Sequence, residues 1–326
     1  AVDTEQNEMA EKLLKLNNND VNINNLNNQS LLSFSVIKKN KDFVTKILEN
    51  DSFDSIKSNL FEAFVKSIHP TLNPEINNLK VGFMVPNFPN NLGFGLHQNN
   101  NNNNNKDEAS IDIMNDLLEY DENHNHILNF DNLLPNGKSF FTIISPDINN
   151  IVDVVEYFLD HNVDPNKPDK YGIYPLEFAI RMNSQLFVSS LLNSNRIDLS
   201  IRINNDAIKN ETFLHLAARN DTFQDILDKN QIDINALDDL GETPLMKACL
   251  FLKQKNVLDL FRKDELDYKH CNNDGDDCLC LVKSNSNNGF GFGMMPNTQY
   301  RNLLRGGQFP EEKIEYFVQL APYLHS

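Results

Sequence analysis

Apolar residues recur at helical spacing in a series of short segments, each bounded by polar runs rich in asparagine and aspartate. Behind Ser30, a natural cap, come Leu31, Leu32, Phe34 and Ile37, then Phe43, Val44, Ile47 and Leu48, a pair of short helices. A third helix carries Phe61, Phe64, Val65 and Ile68; a fourth, Ile111, Met114, Leu117 and Leu118; a fifth, Ile151, Val154, Val155, Phe158 and Leu159. MAEKLLKL at residues 9–16 reads as a further helix, with Val21 and Ile23 alternating behind it as a hairpin arm would.

The sharpest local signal is GETPLMKACL, Gly241 to Leu250. Thr243 is placed to cap, Pro244 takes the first helical position where a missing N–H costs nothing, and Leu245 and Ala248 share one face. Gly241 suits a tight turn two residues before the cap. The same phrase returns as NETFLHLAARN around Thr212, as GIYPLEFAIRMN from Gly172, and as GDDCLCLVKSN from Gly275; GKSFFTIIS at Gly137 and NQSLLSFSVIKKN from Asn28 are degenerate copies. From Gly137 to Gly275 the spacing is roughly 30–40 residues, the period of a helical repeat.

These segments resemble the ankyrin repeat, whose signature is G-x-T-P-L-H-x-A followed by a second helix and a hairpin. GETPLMKA and TFLHLAA carry the resemblance best; it can be traced from about residue 9, with good motif support from about 137 to 283. It implies an all-α fold, an ankyrin-repeat solenoid of helix-turn-helix units with short hairpin fingers, in which each unit packs only on its neighbours. His215 matches the signature histidine, which in the family hydrogen-bonds neighbouring backbone and ties one repeat to the next; Met246 replaces it in the following unit. Cys278 and Cys280 fall on the Pro and His positions, where packing is expected. Asn235 resembles the asparagine that ankyrin proteins can have hydroxylated, its ordinary role being a turn residue.

Residues 1–326 are accordingly read as a single array of about seven units with two interruptions. Between about 70 and 106, four prolines and the run Asn99 to Asn105 cannot build a packed helix, so an Asn-rich disordered insertion is expected there, removable without loss of the fold. A second insertion, residues 284–309, splits the last unit; GFMVPN and GFGMMPN recur in the two, as a shared docking element or by chance.

The formal net charge of -17 argues against a nucleic-acid partner and tilts the balance toward a protein partner with a basic surface, though solubility alone also explains it. No apolar run reaches the ~20 residues of a membrane span. The N-terminus lacks a secretory pattern, and Cys249, Cys271, Cys278 and Cys280 lack framework spacing, which points to a reducing, cytoplasmic setting. The chain begins at Ala1 and stops directly after an amphipathic helix, so a segment of a larger protein, monomeric in isolation, is expected. No phosphate loop, nucleophile elbow, zinc-protease or kinase signature is present, and no cofactor is implied. His270, Cys271, Cys278 and Cys280, and the DENHNH run from Asp121, are the places to look for a metal; structural small residues and a solvated loop are the simpler readings.

Function is therefore expected in binding, not catalysis. Ankyrin arrays present finger tips and the outward side of the first helix as a concave groove. On the matching positions the fingers offer Asp169, Lys170, Tyr171, Asp238, Asp239, Leu240, Asn273 and Asp274, and the first helices offer Phe178, Arg181, Leu216, Arg219, Lys247 and Leu250. The leading expectation is a protein-protein interaction scaffold without catalysis of its own. The alternatives are a regulatory or substrate-presenting segment of a larger multidomain signalling or trafficking enzyme, and a metal-dependent hydrolase using the His-rich loop.

Overall fold

The computed structural model describes residues 30–50, 53–54, 60–68, 109–124, 128–130, 133–134, 137–145, 148–204, 210–229, 232–286 and 310–324. The helix expected at residues 9–16, the Asn-rich insertion and most of the second insertion lie outside them. The described residues are helices joined by turns. They form no strand, and an isolated antiparallel bridge pairs Ile203 with Glu211. Two compact units are formed, Ala1–Asp164 and Pro165–Ser326.

In the first unit, α1 (Leu31–Ile37) and α2 (Lys41–Leu48) pack together, as do α3 (Leu60–Ile68) and α4 (Ile111–Asn123). The pairs then stack, α1 on α3 and α2 on α4, and α5 (Ile151–Asp160) packs on α4. Ser30 caps α1 by accepting from the Ser33 amide at 3.0 Å. Phe64, Phe130, Phe140, Phe141 and Phe158 form a continuous aromatic core, with edge or tilted contacts between 4.9 and 6.1 Å. Two junctions are tied by side chains: Asn150 exchanges two hydrogen bonds of 2.9 Å with the Ala109 backbone, and the buried Asp121 accepts from the Leu128 amide at 2.7 Å. Where the degenerate copy at Gly137 predicts a helix, a single 3-10 turn forms instead, Phe141–Ile143. β-branched Thr142, Ile143 and Ile144 with Pro146 close behind resist propagation of a helix.

In the second unit the helices alternate between two rows. One row is α6 (Pro175–Arg181), α8 (Phe213–Ala217), α10 (Pro244–Leu250) and α12 (Cys278–Ser286), each packed on the next. The other is α7 (Gln185–Asn193), α9 (Phe223–Leu227) and α11 (Gln254–Phe261). Each front helix also packs on its own rear helix. Thr243 caps α10, its Oγ1 accepting from the Met246 amide at 3.3 Å, and Pro244 occupies the first turn. Helices α6 and α10 end alike: Asn183 and Leu252 take positive φ, and the next amides, of Ser184 and Lys253, reach back to the Ala179 and Ala248 carbonyls at 3.2 and 2.9 Å. Asparagine side chains bridge successive units at the rear, Asn220 to the Ile180 carbonyl at 2.7 Å and Asn256 to those of Ala218 and Asn220 at 3.0 and 2.9 Å. Last comes α13 (Glu311–Leu320), packed on α12, with Phe317 and Tyr316 against Phe261 and the Tyr316 hydroxyl donating to Asp277 at 2.9 Å. The helix after the second insertion thus pairs with the helix before it.

Gly241 is a point of close approach between successive loops. Its φ is +71°, and a β-carbon there would sit 2.6 Å from Asn273 Oδ1. Gly275 has a similar φ of +86° with nothing within 4 Å of that position. Gly241→Ala should therefore cost about 2 kcal/mol and Gly275→Ala about 1 kcal/mol, the difference being the clash and not the backbone. Equal losses in urea unfolding would show that the Asn273 contact is unimportant.

Candidate binding face

Ahead of α6, α10 and α12, the chain makes three turns of one design. Asp169, Asp238 and Asn272 each begin one, and a glycine sits three residues later. In the middle turn, Asp238 Oδ1 accepts from the Leu240 and Glu242 amides at 2.9 and 2.8 Å, and the Gly241 amide returns to the Asp238 carbonyl at 3.0 Å. Asp169 and Asn272 repeat the pattern, at 2.8 and 3.0 Å to Tyr171 and Ile173, and at 3.1 and 2.9 Å to Asp274 and Asp276. The side-chain oxygen thus fixes the turn from inside, and the two residues before each glycine project outward.

Neighbouring loops are stitched together. At their bases, Asn166 donates to the Arg196 carbonyl and accepts from the Asp198 amide, both at 2.8 Å, and Asn235 does the same with Glu265 and Asp267 at 2.7 and 2.8 Å. Both atoms of the Asn235 amide are thereby engaged. At the tips, the Asn273 amide donates to the Leu240 carbonyl and Asn273 Nδ2 to that of Asp239, both at 3.0 Å. His270 Nε2 lies 3.0 Å from the Gly241 carbonyl, a second tie between the same two units.

Behind the loops lies a buried ionic centre. Lys247 Nζ sits 2.7 Å from Asp238 Oδ2 and 3.2 Å from Glu211 Oε1, and is also bonded to Glu242. Burial works to depress the Lys247 pKa, but the charges of Glu211 and Glu242 and the hydrogen bonds it donates to Asp238 and Glu242 outweigh it and hold the pKa above its ordinary value. Arg219 pairs with the same Glu211 and lies 5.3 Å from the Phe251 ring. A buried lysine between carboxylates from two segments, Glu211 ahead of α8 and the Asp238–Glu242 turn ahead of α10, acts as a clamp joining the unit of α8 to that of α10.

His215 is the second tie at this junction. Its Nδ1 lies 3.2 Å from the Thr212 amide and 2.7 Å from Thr212 Oγ1, and its Nε2 lies 3.0 Å from the Glu242 carbonyl. An amide pointing at Nδ1 requires an unprotonated nitrogen there, so the proton is on Nε2 and the ring is neutral. Burial depresses its pKa to about 4, against the hydrogen bond to Glu242 and the nearby carboxylates, which work in the other direction.

The structure divides the expected binding residues into three groups. Lys170, Tyr171, Asp239, Leu240, Asn273 and Asp274 are exposed on the turn tips. Arg181, Arg219 and Leu250 are half-buried, Arg181 being held by Glu177 at 2.7 Å. Asp169, Phe178, Leu216, Asp238 and Lys247, expected at the surface, are buried and need correcting. The two aspartates are spent on their own turns and Lys247 on its three carboxylates. Phe178 packs edge-on to Phe187 of α7, and Leu216 belongs to α8, a helix covered by α6, α9 and α10 whose five residues are all buried. Of the two cysteines expected in packing positions, Cys278 is buried beside Cys249, whereas Cys280 is exposed.

Sequence reading passed over Leu237, 41% exposed on the arm of the middle turn, and the acceptor pair Glu211 and Glu242. Leu237 could have been found from strand-like alternation in IDINALD, where Ile234 and Ala236 are buried and Leu237 falls out of phase. Among the described residues no group of three His, Cys, Asp or Glu side chains is arranged to hold a metal, and no helix is long and apolar enough to cross a membrane.

No protein-family model matches the chain, and no curated protein matches it. Among solved structures, it is similar to a chain in the complex of a predatory endopeptidase from Bdellovibrio bacteriovorus with an immunity protein, at 22% identity and a TM-score of 0.45, over 54% of this chain and 88% of that one. Similarity at that level carries no argument about function.

Proposed function

We propose that the chain is a protein-protein interaction module of ankyrin type, a scaffold that binds a protein partner through its turn tips and the adjoining edge of the front helices. The single observation that carries this reading is where large apolar side chains meet solvent. Of the five exposed ones among the described residues, Tyr171, Leu237 and Leu240, at 51, 41 and 60% exposure, lie on the turn loops. Exposed apolar side chains on loops held rigid by their own hydrogen bonds lose little entropy on docking and gain burial. The stacked front and rear rows, the period, and the motif at Thr243 support assigning the repeat to the ankyrin type, and both units to one kind of array. The cysteine usage supports a cytoplasmic setting within the same proposal.

The test is a binding comparison between the wild-type chain and a Tyr171→Ser, Leu237→Ser, Leu240→Ser variant, with Leu186→Ser as control. Leu186 is 58% exposed but lies on rear helix α7. Cross-linked protein partners should be lost from the triple variant by about tenfold or more and kept by the control, with the thermal midpoint unchanged within about 2 °C. Partners kept by the triple variant would put the binding face elsewhere.

A further inference from the structure

We propose that the segment docking on the middle turn is a basic one: an apolar side chain flanked within a few residues by lysine or arginine. This rests on the turn loops being the binding face and names the chemistry of what they take.

The backbone around Leu237 and Leu240 is already committed. The Leu240 carbonyl accepts from the Asn273 amide at 3.0 Å, that of Asp239 from Asn273 Nδ2 at 3.0 Å, and that of Leu237 from Arg202 Nη1 at 2.9 Å. A partner strand would have to share these carbonyls with donors already in place, so recognition falls chiefly to side chains: burial of the two leucines, and charge.

The charge beside them is predominantly negative. Asp233 and Asp239 on the middle loop, and Asp267 and Asp274 on the next, are all exposed. Against these four carboxylates stand two exposed cations: Lys269, which is paired with Glu312, and Arg202, which keeps its charge while its Nη1 is turned in to the Asn210 and Leu237 carbonyls. An incoming segment that covers the two leucines thus lies on loops carrying an excess of exposed carboxylates, where a neutral flank gains nothing from that charge and an acidic flank is repelled. The preference is local. At the first turn Lys170 lies over Tyr171, its Nζ 4.9 Å from the ring centre, so that tip is not acidic.

The experiment selects displayed random peptides on the immobilised full chain and measures the enriched sequences by fluorescence anisotropy. The expected result is enrichment of lysine or arginine next to a leucine, isoleucine, phenylalanine or tyrosine. Affinity should fall about tenfold both in Leu240→Ser and in Asp239→Lys with Asp274→Lys, and the second loss should fade as salt is raised. Both variants should keep the wild-type thermal midpoint. Peptides that depend on Leu240 but show no basic bias overturn the charge assignment and leave the binding face standing. Basic peptides indifferent to Leu240→Ser and to the charge reversals overturn it too, since they report only attraction to a chain of net charge -17. Failure to enrich any peptide dependent on Leu237 or Leu240 overturns the docking site itself.

Discussion

Lys247→Met is expected to destabilise the Pro165–Ser326 unit by about 3–5 kcal/mol, the cost of leaving buried charge without its partner. The ammonium is enclosed by Glu211, Asp238 and Glu242, and none of the four side chains exposes more than 9% of its surface. Methionine fills similar volume but leaves carboxylates facing one another with Arg219, paired to Glu211, as the remaining cation. The loss should appear as a lower urea midpoint at unchanged slope. Adding Glu242→Gln to Lys247→Met should recover part of the loss, although Glu242→Gln alone destabilises. A loss below about 1 kcal/mol is what an exposed ion pair would give, and would mean that the centre is hydrated.

The second large effect is in the pH dependence. His215 titrates near 4 in the folded chain and near the ordinary 6.5 when unfolded. The unfolded chain therefore binds the additional proton between those values, and stability must rise with pH across that window. Neutral His215 contributes fully above about pH 6.5, and the contribution drains away as pH falls toward 4, for a total of roughly 3 kcal/mol. Protonating Nδ1 would set an N–H against the Thr212 amide, which is the physical origin of the loss. In His215→Gln the baseline should be lower at neutral pH, and the fall between pH 6.5 and 4 shallower than in wild type by about that amount. Parallel profiles would show that other groups carry the acid sensitivity.

These two residues also mark how far the sequence could be read. His215 is legible, because its motif, its cap and its short helix lie within a few residues of one another. Lys247 is not. A lysine on a seven-residue helix reads as a surface residue, and only the convergence of Glu211, Asp238 and Glu242, the first of them in the preceding unit, makes it a core residue. Helices set by local signals, such as α10 with Thr243 and Pro244, are placed by pattern alone. The segment at Phe141 shows the limit, since its apolar residues are buried as expected while its backbone stops at one 3-10 turn. The loops divide in the same way. The Asx-x-x-Gly spacing is visible in the sequence, but which aspartate turns inward to hold the turn and which projects depends on hydrogen bonds that only three-dimensional placement reveals. Asp238 and Asp239 are neighbours with opposite fates.

Hydrogen-deuterium exchange on the chain, free and bound to a partner captured through it, tests the binding face most directly. Protection on binding should concentrate in the loops at residues 166–174, 232–243 and 264–277, and leave α7, α9 and α11 as they are in the free chain. Protection confined to those rear helices, with the turn tips exchanging as before, would contradict the assignment.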